Sequence, residues 1–223
     1  MLHPDFPDAY FGFAALTDMQ GDLATAERLY KIGADKDVAF KRSAICYQRI
    51  ADCKEQLKDY VGTVTAYKVI TTINPDAGFA YEKIGYFEMQ AGNTQAAQNA
   101  FDKAIALNPM AATTYSNRGF LYQMQKMYDK AIADYNKAIA IDDTYIGAYA
   151  NRANANIELK NYKAAKIDFE KAVELAPQSG SLRRLLGWAK LQLKDTAAAC
   201  EDFRIAQKQG DSFASELMSQ TCK

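Results

Sequence analysis

The chain has 223 residues, with 27 basic and 27 acidic side chains, so its formal net charge is zero. This balance predicts no overall electrostatic attraction to nucleic acid or to an anionic membrane surface. No run of 18 apolar residues occurs, so the sequence predicts no direct insertion into a membrane.

The chain repeats itself every 34 residues. An aromatic residue recurs at this spacing, at Tyr67, Phe101, Tyr135, Phe169 and Phe203. A small residue lies four positions before each of them, at Thr63, Ala97, Ala131, Ala165 and Ala199. A second row of small residues consists of Ala51, Gly85, Gly119, Ala153 and Gly187. A period of this length is typical of a solenoid, in which small helical or stranded repeats bury their apolar faces against one another.

The N-terminal residues match the end of a repeat. Leu2 and Pro4 align with Leu107 and Pro109 in the 34-residue register. We therefore expect residues 1–6 to be the tail of a repeat that precedes Met1. The start of the chain lacks the charged and apolar regions of a signal peptide, although a signal on preceding residues stays open.

Six repeats follow in chain order, at residues 7–43, 44–77, 78–111, 112–145, 146–179 and 180–213. Each contains two apolar-periodic stretches of about 14 residues, which predict two short amphipathic helices. We expect glycine, asparagine or aspartate between them to take the left-handed conformation or to cap the second helix. Prolines close the second, third and fifth repeats, because proline cannot continue a helix.

A short helix is predicted after the last repeat, over residues 212–220. Gly210 and Asp211 before it combine a helix stop with an N-cap signal. Phe213 and Leu217 then form a single apolar stripe. We expect this helix to cover the end of the stack and expose its polar side to solvent.

These positions resemble the tetratricopeptide repeat (TPR) family over nearly the whole chain. The fullest repeat contains Tyr115, Gly119, Tyr122, Tyr128, Ala131, Tyr135 and Ala138. The resemblance implies an all-α, right-handed superhelix of about six helix-turn-helix repeats, in one solenoid over residues 1–223 with a C-terminal capping helix. Three positions depart from the family pattern. Gly33 lies where the motif has its third small residue. Asp143 replaces a closing proline, and Arg183 replaces an opening tyrosine.

Little in the sequence supports catalysis. The single histidine is His3, so Cys-His, Ser-His-Asp and histidine-rich metal sites are not predicted. Neither a P-loop nor a G-x-G-x-x-G motif occurs. We therefore predict no enzyme activity, no catalytic residue, no cofactor and no metal site.

The four cysteines fall into two groups. Cys46 and Cys53 lie seven positions apart on one predicted helix, about 10.5 Å along its axis, too far for a disulfide. We predict that both are buried packing residues. The stretch from Cys200 to Cys222 resembles the C-terminal ends of some bacterial TPR proteins, and a disulfide between these two cysteines is one of two states that the sequence leaves open. The bridge would indicate a periplasmic or exported protein. Two reduced packing thiols, with a cytoplasmic location, are the alternative.

Two arginine–aspartate pairs are predicted inside repeats, Arg118 with Asp134 and Arg152 with Asp168. Repeats that carry isoleucine at the arginine position carry alanine at the aspartate position. This pairing within one chain predicts a structural ion pair between the two helices of a repeat. The last repeat departs from the rule, since an aspartate there stands opposite a leucine. An arginine available for a ligand carboxylate is the alternative interpretation.

In TPR proteins, the first helices of the repeats line a concave groove that holds an extended or helical peptide. The resemblance places ten residues there, namely Arg49, Asp52, Glu82, Tyr86, Asn117, Phe120, Asn151, Asn154, Arg184 and Trp188. Tyr86, Phe120 and Trp188 share one repeat position, where other repeats carry alanine, aspartate or asparagine. Exposed aromatic residues beside asparagine and arginine are typical of peptide-binding surfaces. Packing of these rings across neighbouring first helices is the alternative.

The sequence thus predicts a non-catalytic protein–protein interaction scaffold that binds a peptide segment or a partner helix in this groove. The alternative is a structural or self-associating module of a larger assembly, such as one in the cell envelope, with no defined peptide ligand. The expected partner is another protein or peptide, or a second copy of the chain. We predict no nucleic acid partner.

Overall fold

The computed structural model describes residues 7–36 and 43–222, and regular secondary structure in these ranges is entirely α-helical. The helices of the N-terminal half are α1 (Pro7–Met19), α2 (Leu23–Lys36), α3 (Ser43–Gln56), α4 (Tyr60–Ile73), α5 (Gly78–Gln90) and α6 (Thr94–Leu107). Those of the C-terminal half are α7 (Ala112–Met124), α8 (Tyr128–Ile141), α9 (Ile146–Glu158), α10 (Tyr162–Leu175), α11 (Gly180–Gln192), α12 (Thr196–Lys208) and α13 (Ser212–Thr221). His3 and the predicted repeat tail at residues 1–6 lie outside the described residues.

Contacts between helices divide the chain into two compact units, Met1–Pro109 and Met110–Lys223, here called the N-terminal and C-terminal units. In the first, α1 pairs with α2, α3 with α4 and α5 with α6, and each hairpin packs on the next. In the second, the hairpins are α7 with α8, α9 with α10 and α11 with α12, followed by α13 on α12. Each unit is therefore a short stack of helical hairpins, and the predicted all-α repeat fold is confirmed. A single solenoid over residues 1–223 stays a prediction.

Tyr135 shows how an aromatic residue closes a hairpin. Its ring is fully buried, and a Cβ atom added to Gly119 would lie 2.8 Å from it. Glycine on the first helix thus leaves the space that the ring on the second helix fills. Tyr135 also packs in one apolar cluster with Ala155 of the following hairpin. One ring therefore joins two consecutive repeats, as the 34-residue pattern indicates.

Each turn between the two helices of a hairpin contains one residue with positive φ. Glycine takes this conformation in two turns, at Gly21 and Gly92. Lysine takes it in the four others, with φ of 59–64°, at Lys58, Lys126, Lys160 and Lys194. The aspartates after two of these lysines act as caps, since Asp59 accepts from the Gly62 amide and Asp195 from the Ala198 amide. The sequence pattern predicts the glycines and the caps but not lysine at positive φ.

The last helix, α13, is held to the preceding hairpin at both ends. Asp211 caps its start by accepting a hydrogen bond from the Ala214 amide at 3.1 Å. At its end, Cys222 forms a disulfide with Cys200 of α12, with a Cα–Cα distance of 5.7 Å. Of the two states that the sequence leaves open, the structure has the bridged one. None of the helices described combines the length and the apolarity that crossing a membrane requires.

Candidate functional site

Four predicted site residues belong to the N-terminal unit. Arg49 and Asp52 lie one turn apart on α3, with 3.8 Å between Arg49 Nη1 and Asp52 Oδ2. Burial raises the pKa of Asp52, and the Arg49 charge opposes this effect. Glu82 and Tyr86 lie on α5, where the Tyr86 side chain is 36% exposed. Its ring meets the buried Phe87 ring edge-on, with the centroids 5.1 Å apart. The four predicted residues of this unit are thus one exposed ring and three charged side chains.

The C-terminal unit contains the other six predicted residues, on three successive first helices. Asn117 and Phe120 lie on α7, which contacts α9, the helix that carries Asn151 and Asn154. Phe120 is 38% exposed, and the three asparagines are half-buried. Within the described ranges, none of these three amide groups has a hydrogen-bond partner. Their donors and acceptors therefore remain available to a bound chain.

The remaining two predicted residues, Arg184 and Trp188, lie on α11. Trp188 is half-buried and meets the Tyr162 ring edge-on, with the centroids 6.0 Å apart. Arg184 Nε donates to both carboxylate oxygens of Asp211, at 3.0 and 3.1 Å, and the guanidinium stacks over the Phe213 ring. Arg184 therefore has a structural partner at the start of α13, which the sequence analysis did not anticipate.

A shallow cavity of about 390 Å³ lies beside these two residues. Its walls are formed by Arg184, Trp188, Phe213, Glu216 and Leu217. Three of the five belong to α13, which the sequence analysis treated only as a cap. The apolar stripe of that helix was visible in the sequence, but its approach to Trp188 depends on the tertiary packing of α13.

The two predicted arginine–aspartate pairs are in contact. Arg118 Nε and Nη2 donate to Asp134 Oδ2 and Oδ1, both at 2.8 Å. Arg152 Nε and Nη2 donate to Asp168 at 2.9 and 2.6 Å, and its Nη1 reaches Asn136. Both aspartates are buried on the second helix of the hairpin. The arginines therefore hold two helices together and are not free to take a ligand carboxylate.

The last repeat also contains a buried aspartate, but different cations compensate its charge. Asp202 stands opposite Leu186, yet it is buried and accepts from Lys190 Nζ at 2.6 Å and from Arg183 Nη1 at 3.4 Å. These cations lie one turn to either side of Leu186 on the same helix face. A search for cations three and four positions from the leucine would have found them in the sequence.

The two remaining cysteines offer little reactivity. Cys46 and Cys53 are buried, as predicted, and are not joined by a disulfide. Burial raises the pKa of Cys53 to about 11, so the thiol stays protonated near neutral pH. Among the residues that the structure describes, no cluster of three or more histidine, cysteine, aspartate or glutamate side chains could hold a metal ion.

Several solved structures share this fold. MamA is 22% identical, with a TM-score of 0.67, over 78% of this chain and 95% of that chain. The C-terminal part of a TPR repeat-containing protein from Cytophaga hutchinsonii is 17% identical, with a TM-score of 0.76, over 95% and 87%. YrrB, described as a TPR protein with an unusual peptide-binding site, is 16% identical, with a TM-score of 0.63, over 78% and 89%. No curated protein matches the chain in sequence.

Models of repeat families match the centre of the chain. Two described as "Tetratricopeptide repeat" match residues 112–145 and 146–179, which are the fourth and fifth predicted repeats. A third, described as "TPR repeat", matches residues 85–126. Together with the helical hairpins of the structure, these matches show that the chain belongs to the tetratricopeptide repeat family.

Proposed function

We propose that this protein is a non-catalytic protein–protein interaction scaffold whose first helices bind a peptide segment or a partner helix. The observation that supports this proposal is the exposure of Tyr86, Phe120 and Trp188, which occupy one repeat position. Each of these side chains is open to solvent over part of its surface.

The aromatic residues of the second helices differ from these three in their burial. Those that recur every 34 residues in this chain are fully buried, at Phe101, Tyr135, Phe169 and Phe203. The rings that close each hairpin thus come from a different repeat position from Tyr86, Phe120 and Trp188. Asp52 and Asn154 occupy the same repeat position in other hairpins, so packing does not require an aromatic residue there. Aromatic rings that the core does not need are the side chains that most often dominate binding at interfaces.

The polar surroundings favour a peptide over a small apolar ligand. Asn117 lies one turn before Phe120 on α7, and Asn151 and Asn154 lie on the neighbouring α9. Amide side chains can both donate to and accept from the backbone of an extended segment. The peptide-binding site that the description of YrrB mentions belongs to a protein with the same fold, and it adds support by analogy only.

Selection from a random peptide library displayed on phage would test the proposal, with the disulfide-bonded full chain as target. We expect enriched peptides that bind Phe120→Ala about 30-fold more weakly, as loss of an anchoring ring typically costs about 2 kcal/mol. Phe79→Ala is the matched control, because Phe79 is also exposed but lies outside the shared repeat position. Equal affinities for both variants, or no enriched peptide, would argue against binding by the first helices.

Self-association is a second candidate, supported by the first helix of the described chain. Phe13, Leu16 and Met19 of α1 are all exposed, and exposed apolar side chains on one helix favour contact with another protein surface. Light scattering after size-exclusion chromatography would distinguish the two functions. A scaffold for peptides stays monomeric as its concentration rises, whereas a self-associating module forms oligomers that Leu16→Asp weakens.

A further inference from the structure

A lysine-lined surface on the C-terminal unit contains none of the ten predicted first-helix residues, although Tyr162 in its wall packs against Trp188. Two cavities of about 470 and 430 Å³ share Lys163 and Leu193 in their walls, so they adjoin. The first is also lined by Lys166, Ile167, Lys190 and Asp195. The second is also lined by Lys160, Asn161, Tyr162 and Ala164. We call the surface that these residues form the lysine trough.

The trough has an excess of positive charge in a chain that is neutral overall. Lys190 is paired with Asp202 at 2.6 Å, and Lys166 lies 3.4 Å from Glu170. Lys160 and Lys163 are exposed, and neither has a salt-bridge partner among the residues described. Two unpaired ammonium groups therefore face solvent at one site.

The carboxylate inside the trough does not cancel this charge. Asp195 accepts a hydrogen bond from the Ala198 amide and caps α12. Its negative charge is thus directed at the N-terminus of that helix, where the helix dipole is positive. Asp195 thus has a structural partner of its own, while Lys160 and Lys163 have no salt bridge among the residues described.

The floor of the trough is aliphatic. Ile167 of α10 is 64% exposed, and Leu193 at the end of α11 is half-buried beside it. An apolar centre with a charged rim is the usual arrangement of a protein interface. Surfaces that bind single-stranded nucleic acid usually also have open aromatic faces on which the bases stack. The one ring here, Tyr162, already packs against Trp188.

We propose that the lysine trough binds an acidic peptide segment that contains an aliphatic residue. Carboxylates of the segment pair with Lys160 and Lys163, and its aliphatic side chain lies on Ile167 and Leu193. The charges of the lysines select the partner by complementarity, and the apolar floor adds contact area. This surface goes beyond the first-helix function proposed above, because it is formed largely by α10 and the turn that precedes α12.

Fluorescence anisotropy with a labelled peptide of glutamates and two central leucines would test this proposal on the disulfide-bonded full chain. We expect Lys160→Glu with Lys163→Glu to weaken binding at least tenfold, about 1.4 kcal/mol or more. The control is Lys58→Glu with Lys137→Glu, which changes the net charge equally. Lys58 also matches Lys160 in its turn position, with φ of 59° against 60°.

Two further variants test the contribution of the apolar floor and the independence from the first-helix face. Ile167→Ser should weaken the leucine peptide about fivefold and leave a peptide with serines in place of the leucines unchanged. Phe120→Ala, on the first-helix face, should leave acidic-peptide binding unchanged. The proposal is overturned by equal losses in the two lysine double variants, by absence of saturable binding, or by loss of binding in Phe120→Ala. Tighter binding of a labelled oligothymidine than of the peptide would also overturn it.

Discussion

At the scale of single residues, buried carboxylates join the two helices of a hairpin through ion pairs. Asp134 is only 8% exposed, and its charge is compensated by both donors of the Arg118 fork. Removing one partner from such a pair leaves a buried charge without compensation, which is strongly destabilising. Earlier repeats place isoleucine and alanine at these two positions, at Ile84 and Ala100 for example. The pair is therefore replaceable as a unit but not one residue at a time.

A double-mutant cycle of Arg118→Leu and Asp134→Ala should show this coupling. We expect each single variant to be less stable than the double variant, with a coupling energy above about 0.5 kcal/mol. The exposed pair Arg49 and Asp52 provides a control cycle, in which we expect almost no coupling. Urea denaturation measures both cycles. Additive effects at Arg118 and Asp134 would show that the guanidinium does not depend on its aspartate.

Glu88 of the N-terminal unit makes stability depend on pH. Burial alone would raise its pKa, but hydrogen bonds from Asn93 Nδ2 at 2.8 Å and Lys68 Nζ at 3.0 Å lower it below 4.5. A carboxyl whose folded-state pKa is depressed contributes stability above its unfolded pKa and loses it as pH falls through the folded value. Glu88→Gln should therefore be about 1 kcal/mol less stable than the native chain at pH 7. The difference should shrink as pH falls from 4.5 towards 3, and a constant difference would contradict this account.

At the scale of helices, one missing Cβ atom determines how closely a hairpin closes. The space at Gly119 is occupied by the Tyr135 ring and by the Ala131 carbonyl oxygen, 3.2 Å from an added Cβ. Gly12 of α1 is helical as well, but nothing lies within 4 Å of its added Cβ. An added methyl group therefore has free space at Gly12 but clashes with Tyr135 at Gly119.

We expect Gly12→Ala to raise the free energy of unfolding by about 0.5–1 kcal/mol, because alanine favours the helix. Gly119→Ala should lower it, and Gly119→Leu or Ala131→Leu should cost roughly 1–3 kcal/mol by overpacking. Differential scanning calorimetry would record the opposite signs as opposite shifts in Tm. A gain in Tm for Gly119→Ala would disprove the close approach of Tyr135.

The capping helix α13 gives a second prediction at this scale. The Cys200–Cys222 bridge closes a segment of 22 residues, which corresponds to about 3 kcal/mol in the loop-entropy account. Dithiothreitol should lower the Tm of the native chain and increase amide exchange in α13. Cys200→Ser with Cys222→Ser should show the lower Tm without reductant and no further change with it. An unaffected Tm in reductant would show that packing and the Asp211 contacts suffice.

The sequence predicted those features that recur every 34 residues. The hairpins, their buried aromatic residues and the Arg118 and Arg152 partners follow from residue type and spacing, because each repeat meets the same neighbours. The partners of Asp202 and of Arg184 were missed, since they occur once and depend on the last hairpin and α13. The left-handed lysines were missed because propensity favours glycine or asparagine at positive φ.

At the scale of the molecule, two surfaces differ in chemistry, and both have residues in the C-terminal unit. The first helices carry partly exposed rings beside uncharged amides, whereas the lysine trough has a charged rim on an aliphatic floor. Under the two proposals made above, these surfaces would hold two different segments of partner proteins.

We propose that Tyr86, Phe120 and Trp188 on the first helices serve binding and not folding. The most direct test measures, for Trp188→Ala, both the affinity for a selected peptide and the free energy of unfolding. The account predicts affinity about 30-fold weaker, with a loss of stability below about 1 kcal/mol, since the ring is only half-buried. A loss of several kcal/mol in stability with unchanged affinity would contradict it and make Trp188 a core residue.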